Sequence, residues 1–232
     1  MANTVVSLEK KKENADAQQK VENFILRNRK ILLCIIAVLV GVAIAVCVVF
    51  GVLDAGKKAG LKAIDSIENT YTKNISSLSD AELSSRQDAA LESLTPYLSK
   101  KGVVGIQASK LAAEIYFERK NYADSLTNWL NAASYDEKAY TAPIYYYNAA
   151  VCCDELGKSD DAASYYAKAA ERKDFYLASH ALFNLGRVKE ASGDYAGAVE
   201  AYQTAVDSHA GDEYAKLSQS RIIALKAAGK AE

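Results

Sequence analysis

Few residues of this chain have the types and spacing that catalysis needs. The stretch Gly157-Lys158-Ser159 imitates the end of a phosphate-binding loop, in which backbone N–H groups and a lysine hold nucleotide phosphates. The first glycine of that motif would stand at position 152, where the chain has Cys152, and no strand pattern precedes it. His180 and His209 are the only histidines, and neither belongs to a cluster with the spacing of metal ligands. We therefore predict that the protein is not an enzyme and has no catalytic residues, metal site or cofactor.

The four cysteines do not indicate a redox or metal site. Cys34 and Cys47 lie in an apolar run, and Cys152 and Cys153 are adjacent, so that on a helix the latter two point about 100° apart. Such neighbours have a poor geometry for a disulfide. We interpret all four as small hydrophobic residues.

The composition favours an all-α fold. The 232 residues include only two prolines, and 50% of the chain is apolar while 25% is charged, as in an ordinary globular protein. Long uninterrupted helices are therefore easy to form. The net charge of −1 gives no bulk attraction to nucleic acid, so we exclude nucleic acid as a partner.

Residues 31–53 form an apolar run that contains no charged or strongly polar side chain. As a helix this run is about 34 Å long, which is enough to cross the hydrocarbon core of a bilayer. We predict a single transmembrane helix, preceded by a polar tail over residues 1–30 that is disordered up to about Ala17. A cleaved signal peptide is the alternative interpretation, but its apolar part is usually shorter than this run.

Three small residues in this apolar run recur every four positions, namely Ala37, Gly41 and Ala45. Small residues at this spacing let two membrane helices approach closely, so these three are candidate contacts for a homo-oligomer. Small residues are also common in single membrane helices, and that alternative stays open.

The rest of the chain contains three segments that superimpose: 106–139, 143–176 and 179–212. At equivalent places they carry a pair that ends in a small residue (Ala112-Ala113, Ala149-Ala150, Leu185-Gly186), a turn (Lys120-Asn121-Tyr122, Gly157-Lys158-Ser159, Gly193-Asp194-Tyr195) and an aromatic residue (Trp129, Tyr166, Tyr202). Each unit is predicted to be a pair of amphipathic helices whose small residues lie where the helices come closest. Such pairs bury their apolar faces by stacking into a solenoid. The pattern resembles the tetratricopeptide repeat, which implies an all-α solenoid that binds other proteins.

The predicted repeats occupy residues 103–212, between a helical hairpin and a capping helix. Residues 54–102 look like a degenerate hairpin of the same kind, with helices over 59–72 and 81–94 that end near Pro96. Residues 213–232 are predicted to form the capping helix. Its inward-facing side chains are expected to be Leu217, Ile222, Ile223 and Leu225.

The resemblance to tetratricopeptide repeats also implies where a partner binds. In this family the first helices of successive repeats form a concave face that contacts the ligand. The residues at the matching positions include Lys110, Phe117, Tyr147, Asn148, Phe183, Asn184 and Arg187. We expect the last five to form the centre of the site, because aromatic rings beside amides suit an extended peptide, and Arg187 could hold a carboxylate. Alternatively, these side chains are solvated or pack against a neighbouring element.

The order of the segments resembles the bacterial ancillary SecYEG translocon subunit family, the YfgM-like proteins. The likeness runs from about Val21 to Leu225 and is most telling over Ala108–Leu130 and Tyr214–Ser218. It implies an adaptor in the bacterial inner membrane, with a periplasmic repeat domain and with translocon subunits and chaperones as partners. Two other classes stay open: a homo-oligomeric scaffold in envelope assembly or cell division, and a repeat receptor that faces the cytosol.

We predict that the N-terminus lies in the cytoplasm and that residues 54–232 lie outside it. Three basic residues, Arg27, Arg29 and Lys30, precede the apolar run, and basic residues are enriched on the cytoplasmic side of membrane helices. Protease added to spheroplasts should digest the repeats and spare the tail, as detected with a tag at each end. Protection of the repeats in spheroplasts, with digestion only after lysis, would contradict this topology.

Overall fold

The computed structural model describes the backbone of residues 2–172 and 174–231 and the side chains of residues 18–172 and 174–231. Met1, Lys173 and Glu232 lie in the predicted tail, second repeat and capping segment and are outside the described residues. Within that part, the elements are helical and no strand occurs, which confirms the predicted all-α class. The helices are α1 (Ala2–Thr72), α2 (Asp80–Leu98), α3 (Val103–Glu118), α4 (Tyr122–Tyr135), α5 (Ala142–Glu155), α6 (Ser159–Ala170), α7 (Ala178–Ala191), α8 (Tyr195–Ser208) and α9 (Glu213–Ala227), with a short 3-10 turn at Ile75–Ser77.

The chain divides into two compact units, Met1–Gly56 and Lys57–Glu232. The first unit consists of the earlier part of α1, whose backbone is already helical at Ala2. The expectation of disorder up to about Ala17 is therefore wrong. Residues 2–30 contain no glycine or proline and many good helix formers, so nothing in the local sequence interrupts the helix.

The apolar run of the first unit has little protein packed against it. Its large side chains are almost all exposed, from Ile31 at 62% to Leu53 at 64%. Among the described residues, α1 is the one helix long and apolar enough to cross a membrane, although a signal sequence near an N-terminus has the same properties. Exposed apolar surfaces of this size are typical of sites that contact a membrane or another protein.

The second unit is a row of helix pairs in which each helix packs against the next. Helix α3 packs against α4, α5 against α6 and α7 against α8, and contacts of α4 with α5 and of α6 with α7 join the pairs. Each pair turns through a residue with a left-handed backbone, namely Lys120, Gly157 and Gly193. Glycine adopts this conformation without steric cost, whereas Lys120 occupies it at an energetic cost.

The two helices of each pair meet at small residues. Ala113, Ala150, Ala162 and Ala198 are completely buried. A Cβ atom on Gly186 would lie within 2.8 Å of three atoms of the Tyr202 ring, so that this position has no space for a side chain. The recurring small residues therefore set how closely the helices of a pair approach.

The later part of α1 forms the N-terminal end of the solenoid. Ile64 and Tyr71 pack with Leu94 of α2 and with Leu111 and Ile115 of α3 in one hydrophobic cluster. Helix α2 ends at Leu98, beyond the expected end at residue 94. Pro96 lies inside its last turn, where the missing N–H removes one helical hydrogen bond.

Helix α9 packs against α8 and α7, but two of its side chains were assigned to the wrong face. Ile222 and Leu225 are buried as predicted, whereas Leu217 is 42% exposed and Ile223 is 63% exposed. The buried residues of α9 are Ala215, Ser218, Ile222 and Leu225. This is the helical spacing of one narrow face, and residues 217 and 223 point away from it.

The α9 pattern also repeats that of α7. The buried positions of α9 correspond to Ala178, Ala181, Leu185 and Val188 in α7, 37 residues earlier. In that alignment Ile223 stands where α7 has Gly186, the position that contacts Tyr202. Ile223 carries a branched side chain and is 63% exposed, whereas Gly186 is buried.

We predict that Gly186→Leu and Ala150→Leu each lower the free energy of unfolding by about 1–3 kcal/mol, because the added atoms overpack the contact between paired helices. The matched control is Ala191→Leu, at an exposed position of the same helix α7, which should change stability by less than about 0.5 kcal/mol. Denaturant unfolding of the full chain, followed by circular dichroism, measures all three. Wild-type stability in Gly186→Leu would show that the repeat register is wrong.

Candidate protein-binding site

The seven predicted contact residues lie on the first helices of the three pairs. Lys110 and Phe117 belong to α3, Tyr147 and Asn148 to α5, and Phe183, Asn184 and Arg187 to α7. Their exposure differs: Tyr147 is buried, Arg187 is exposed, and Asn148, Phe183 and Asn184 are half-buried. Tyr147 therefore contributes to packing, and the accessible surface is made by the residues around it.

Hydrogen bonds join α5 to α7 through the Tyr147 hydroxyl. Asn184 donates from Nδ2 to this oxygen at 3.2 Å, and Nδ1 of His180 lies 2.9 Å from it. Because the oxygen already accepts from Asn184, the hydroxyl proton is available for His180. When the His180 ring is neutral, its unprotonated nitrogen can accept this proton.

Burial supports these protonation states. It raises the pKa of Tyr147 to about 12, so that the hydroxyl keeps its proton. It also lowers the pKa of His180, with the nearby Arg187 acting in the same direction and Asp212 opposing it. The Tyr147–His180 pair is therefore neutral at neutral pH.

Arg187 is not a free cation. Its Nη2 donates to Oδ2 of Asp154 in an ion pair between α7 and α5, and its Nε donates to Oδ1 of Asn184 at 3.4 Å. One unit further along, Arg221 of α9 pairs with Glu190 of α7 in the same way. The expected role of Arg187 in holding a partner's carboxylate stays a prediction, and it would have to compete with Asp154.

Helix α9 adds an aromatic ring to this surface. Tyr214 stacks on His180, with ring centroids 3.8 Å apart and an interplanar angle of 13°. Its ring also lies 5.8 Å from that of Phe183, which in turn contacts Tyr202. The capping helix is thus part of the candidate site and is held there by aromatic contacts.

A loop tyrosine forms the rim of the same cluster. Tyr176 lies between α6 and α7, is 73% exposed, and packs edge-on against Phe175, with ring centroids 5.4 Å apart. Phe175 is buried and contacts Tyr147. The aromatic surface therefore continues from the solvent-exposed Tyr176 to the interior.

The two predicted residues of α3 take part in local contacts at the other end of the face. Lys110 forms an ion pair with Glu114, at 3.3 Å, and the Phe117 ring packs edge-on against Tyr122. Burial raises the pKa of Glu114, although the neighbouring Lys110 opposes this shift. These contacts lie within the first helix pair, α3 and α4, and do not involve Tyr147, His180 or Tyr214.

Sequence reasoning missed three residues of this surface: Asp154, Tyr176 and Tyr214. Asp154 follows Tyr147 by two helical turns, so the helical period places both on one side of α5. Tyr214 belongs to the stretch that resembles the YfgM-like proteins, but its contacts depend on how α9 packs against α7. The exposed Tyr176 precedes α7 and had no pattern that could identify it.

The small-residue stripe of the apolar helix has open surroundings. A Cβ atom on Gly41 would have nothing within 4 Å, and the side chains of Ala37 and Ala45 are exposed. The stripe is therefore accessible, and its use as a helix contact stays a prediction.

Comparison with known proteins identifies the helix pairs. Residues 111–176 and 154–213 match the family described as Tetratricopeptide repeat. These residues cover most of the three helix pairs, which are therefore similar to tetratricopeptide repeats. A "TPR repeat-containing protein" of Treponema pallidum (strain Nichols) is 36% identical over 141 residues, which is 61% of this chain and 59% of that protein. The chain thus aligns with about three fifths of that relative's length.

One solved structure supports the fold of the solenoid. The structure titled "Crystal structure of MamA protein" superimposes with a TM-score of 0.51 at 15% sequence identity, covering 73% of this chain and 90% of that chain. A second one, titled "Crystal structure of MamA", has a TM-score of 0.46 at 15% identity and covers 60% of this chain and 80% of the other. At this identity the likeness concerns the fold alone.

We predict that protonation of His180 weakens the contact between α5, α7 and α9. Since the folded state lowers its pKa below the ordinary value of about 6.5, the stability that depends on the neutral ring is present above about pH 6.5. It is lost as the pH falls through the folded-state pKa. The pKa of His180 is measured by NMR in the native chain and in the chain unfolded in urea.

Tyr147→Phe provides the control for this prediction. It removes the hydroxyl that donates to the neutral ring and keeps the aromatic packing, so the native pKa of His180 should rise toward its ordinary value. A native pKa of His180 equal to or above that of the unfolded chain would contradict the proposed protonation state.

Proposed function

We propose that this protein is a membrane-anchored adaptor that binds other proteins through the concave face of its repeats, as an ancillary factor of the inner-membrane translocon that links it to periplasmic chaperones. Tetratricopeptide repeats support protein–protein interaction as the general role. The single observation that carries the location is the cluster of half-buried rings and amides shared by α5, α7 and α9.

The exposed surface of this cluster has the composition of a protein-binding patch. The half-buried rings of Phe183 and Tyr214 provide apolar area, and Tyr176 extends that area at the rim. Aromatic residues are enriched at interfaces because they bury much area for few rotatable bonds. Asn148 of α5 is half-buried and supplies both a donor and acceptors.

Anchoring is supported by the exposed apolar run of α1. Insertion into a bilayer would remove the apolar side chains between Ile31 and Leu53 from water. The backbone hydrogen bonds of this segment are formed within the helix itself. Membrane attachment keeps the repeats close to membrane-bound partners and so raises their effective concentration.

The translocon assignment draws on the likeness of Ala108–Leu130 and Tyr214–Ser218 to the YfgM-like proteins. Both stretches contribute to the solenoid: the first covers most of α3 and most of α4, and the second begins with the Tyr214 that stacks on His180. Translocon subunits and periplasmic chaperones are accordingly the partners that we propose.

The test is in-cell crosslinking and co-purification of these partners with two double variants. Phe183→Ala/Asn148→Ala removes a ring and an amide from the concave face, whereas Gln203→Ala/Thr204→Ala changes two exposed residues of α8. The first variant should weaken partner binding by about 2 kcal/mol or more, as truncation of interface centres does, and the second should not. Circular dichroism confirms that both variants fold.

Other outcomes of this experiment would favour the other classes. Partners retained at wild-type levels by Phe183→Ala/Asn148→Ala would exclude the concave face as the site. Crosslinks that connect only copies of this chain, and that disappear with Gly41→Leu, would favour the homo-oligomeric scaffold. Cytosolic partners together with protease-protected repeats would favour the receptor.

A further inference from the structure

The charges around the aromatic cluster are already compensated within the protein. Arg187 pairs with Asp154, and Arg221 pairs with Glu190. A carboxylate brought to Arg187 would displace or repel Asp154, and leaving a partly buried carboxylate without its cation is unfavourable. This surface therefore offers little electrostatic attraction for an acidic partner.

The histidine of the cluster does not change this balance at neutral pH. Its ring lies within hydrogen-bond distance of the Tyr147 hydroxyl and stacks on the Tyr214 ring. Both contacts are compatible with a neutral imidazole. The groups that face it are the Tyr147 hydroxyl, Arg187 and Asp212, and the Asp212 carboxylate accepts hydrogen bonds from the Ser179 hydroxyl and the Tyr214 backbone N–H. A neutral ring beside a compensated ion pair is an apolar surface with local polar groups.

Amide groups and apolar side chains form the rest of the surface. Ile144, Asn148 and Val151 share the half-buried side of α5, one helical turn apart. Among the described residues the Asn148 side chain has no hydrogen-bond partner, so its amide is available to the backbone of a bound segment. On α7, on α9 and in the loop before α7, the rings of Phe183, Tyr214 and Tyr176 supply apolar area.

We propose that this end of the concave face recognises an uncharged, extended protein segment anchored by an apolar or aromatic side chain, and that the Arg187–Asp154 pair selects against acidic segments. This inference depends on the proposed function for the location of the site, and it adds the chemical class of the partner. The amide of Asn148 pairs with the segment's backbone, and the rings contact its anchor. Asp154 acts as the element that repels carboxylates.

Two matched fluorescent peptides test this proposal with the full chain in lipid nanodiscs. The neutral peptide alternates serine, threonine and asparagine around two phenylalanines and has an amidated C-terminus. The acidic peptide replaces the serines with aspartates and ends in a free carboxylate. Fluorescence anisotropy should show the neutral peptide binding at least about tenfold more tightly, with an affinity that changes little with salt because no net charge is neutralised. Tighter, salt-sensitive binding of the acidic peptide would overturn the proposal.

Asp154→Asn tests the selecting role directly. It keeps the shape of the side chain and releases Arg187, so the acidic peptide should bind about tenfold more tightly while the neutral peptide is unaffected. The matched control is Asp161→Asn, an exposed aspartate of α6 whose substitution changes the net charge equally and should leave both affinities unchanged. Equal effects of the two variants would show that net charge, and not the ion pair, decides the selectivity.

The failure of this inference can be distinguished from that of the proposed function. If the acidic peptide binds better and Phe183→Ala/Asn148→Ala abolishes that binding, the site stands and the neutral class is wrong. If neither peptide responds to that variant and co-purified partners do not respond either, the proposed site fails. If neither peptide binds while partners still depend on the face, recognition of an extended segment is overturned in favour of a folded partner.

Discussion

The close approach of the two helices in each repeat is the constraint on which the rest of the structure depends. At Gly186 the ring of Tyr202 occupies the space that a Cβ atom would need, and alanines fill the equivalent places of the other pairs. This approach fixes the thickness of every repeat and therefore the distance between successive first helices. The spacing of those helices decides which side chains can meet on the concave face.

The candidate site follows from this stacking. Asp154 and Arg187 are separated by 33 residues, and so are Tyr147 and His180, which is close to the length of one repeat. Each contact thus joins equivalent sides of neighbouring first helices. Because α9 has the packing pattern of α7, the stacking also brings Tyr214 onto His180 and makes the cap a part of the surface. The hydrogen bonds and rings that hold the solenoid together here include the groups that we propose as partner contacts.

Compensated charge gives this surface a different character from the one that the sequence suggested. Arg187 beside two aromatic–amide pairs indicated a carboxylate-binding centre. The ion pair with Asp154 changes this interpretation, since a charge that is balanced within the protein attracts an external partner weakly. Burial of Tyr147 has a similar effect, because its ring supports the surface and only its hydroxyl takes part in the polar contacts.

The sequence by itself determined the all-α class, the repeated helix pairs and the small residues between them, because these features depend on local helical periodicity that recurs three times. It also determined that Ile222 and Leu225 of α9 face inward, but not that Leu217 and Ile223 face outward, since hydrophobicity alone does not define a helix face. Only the tertiary structure decided that Asp154 neutralises Arg187, that Tyr147 is buried and that Tyr214 completes the aromatic cluster. Each of these depends on contacts between different repeats, and their geometry is set by how the helices stack and not by the residues next to them in the chain.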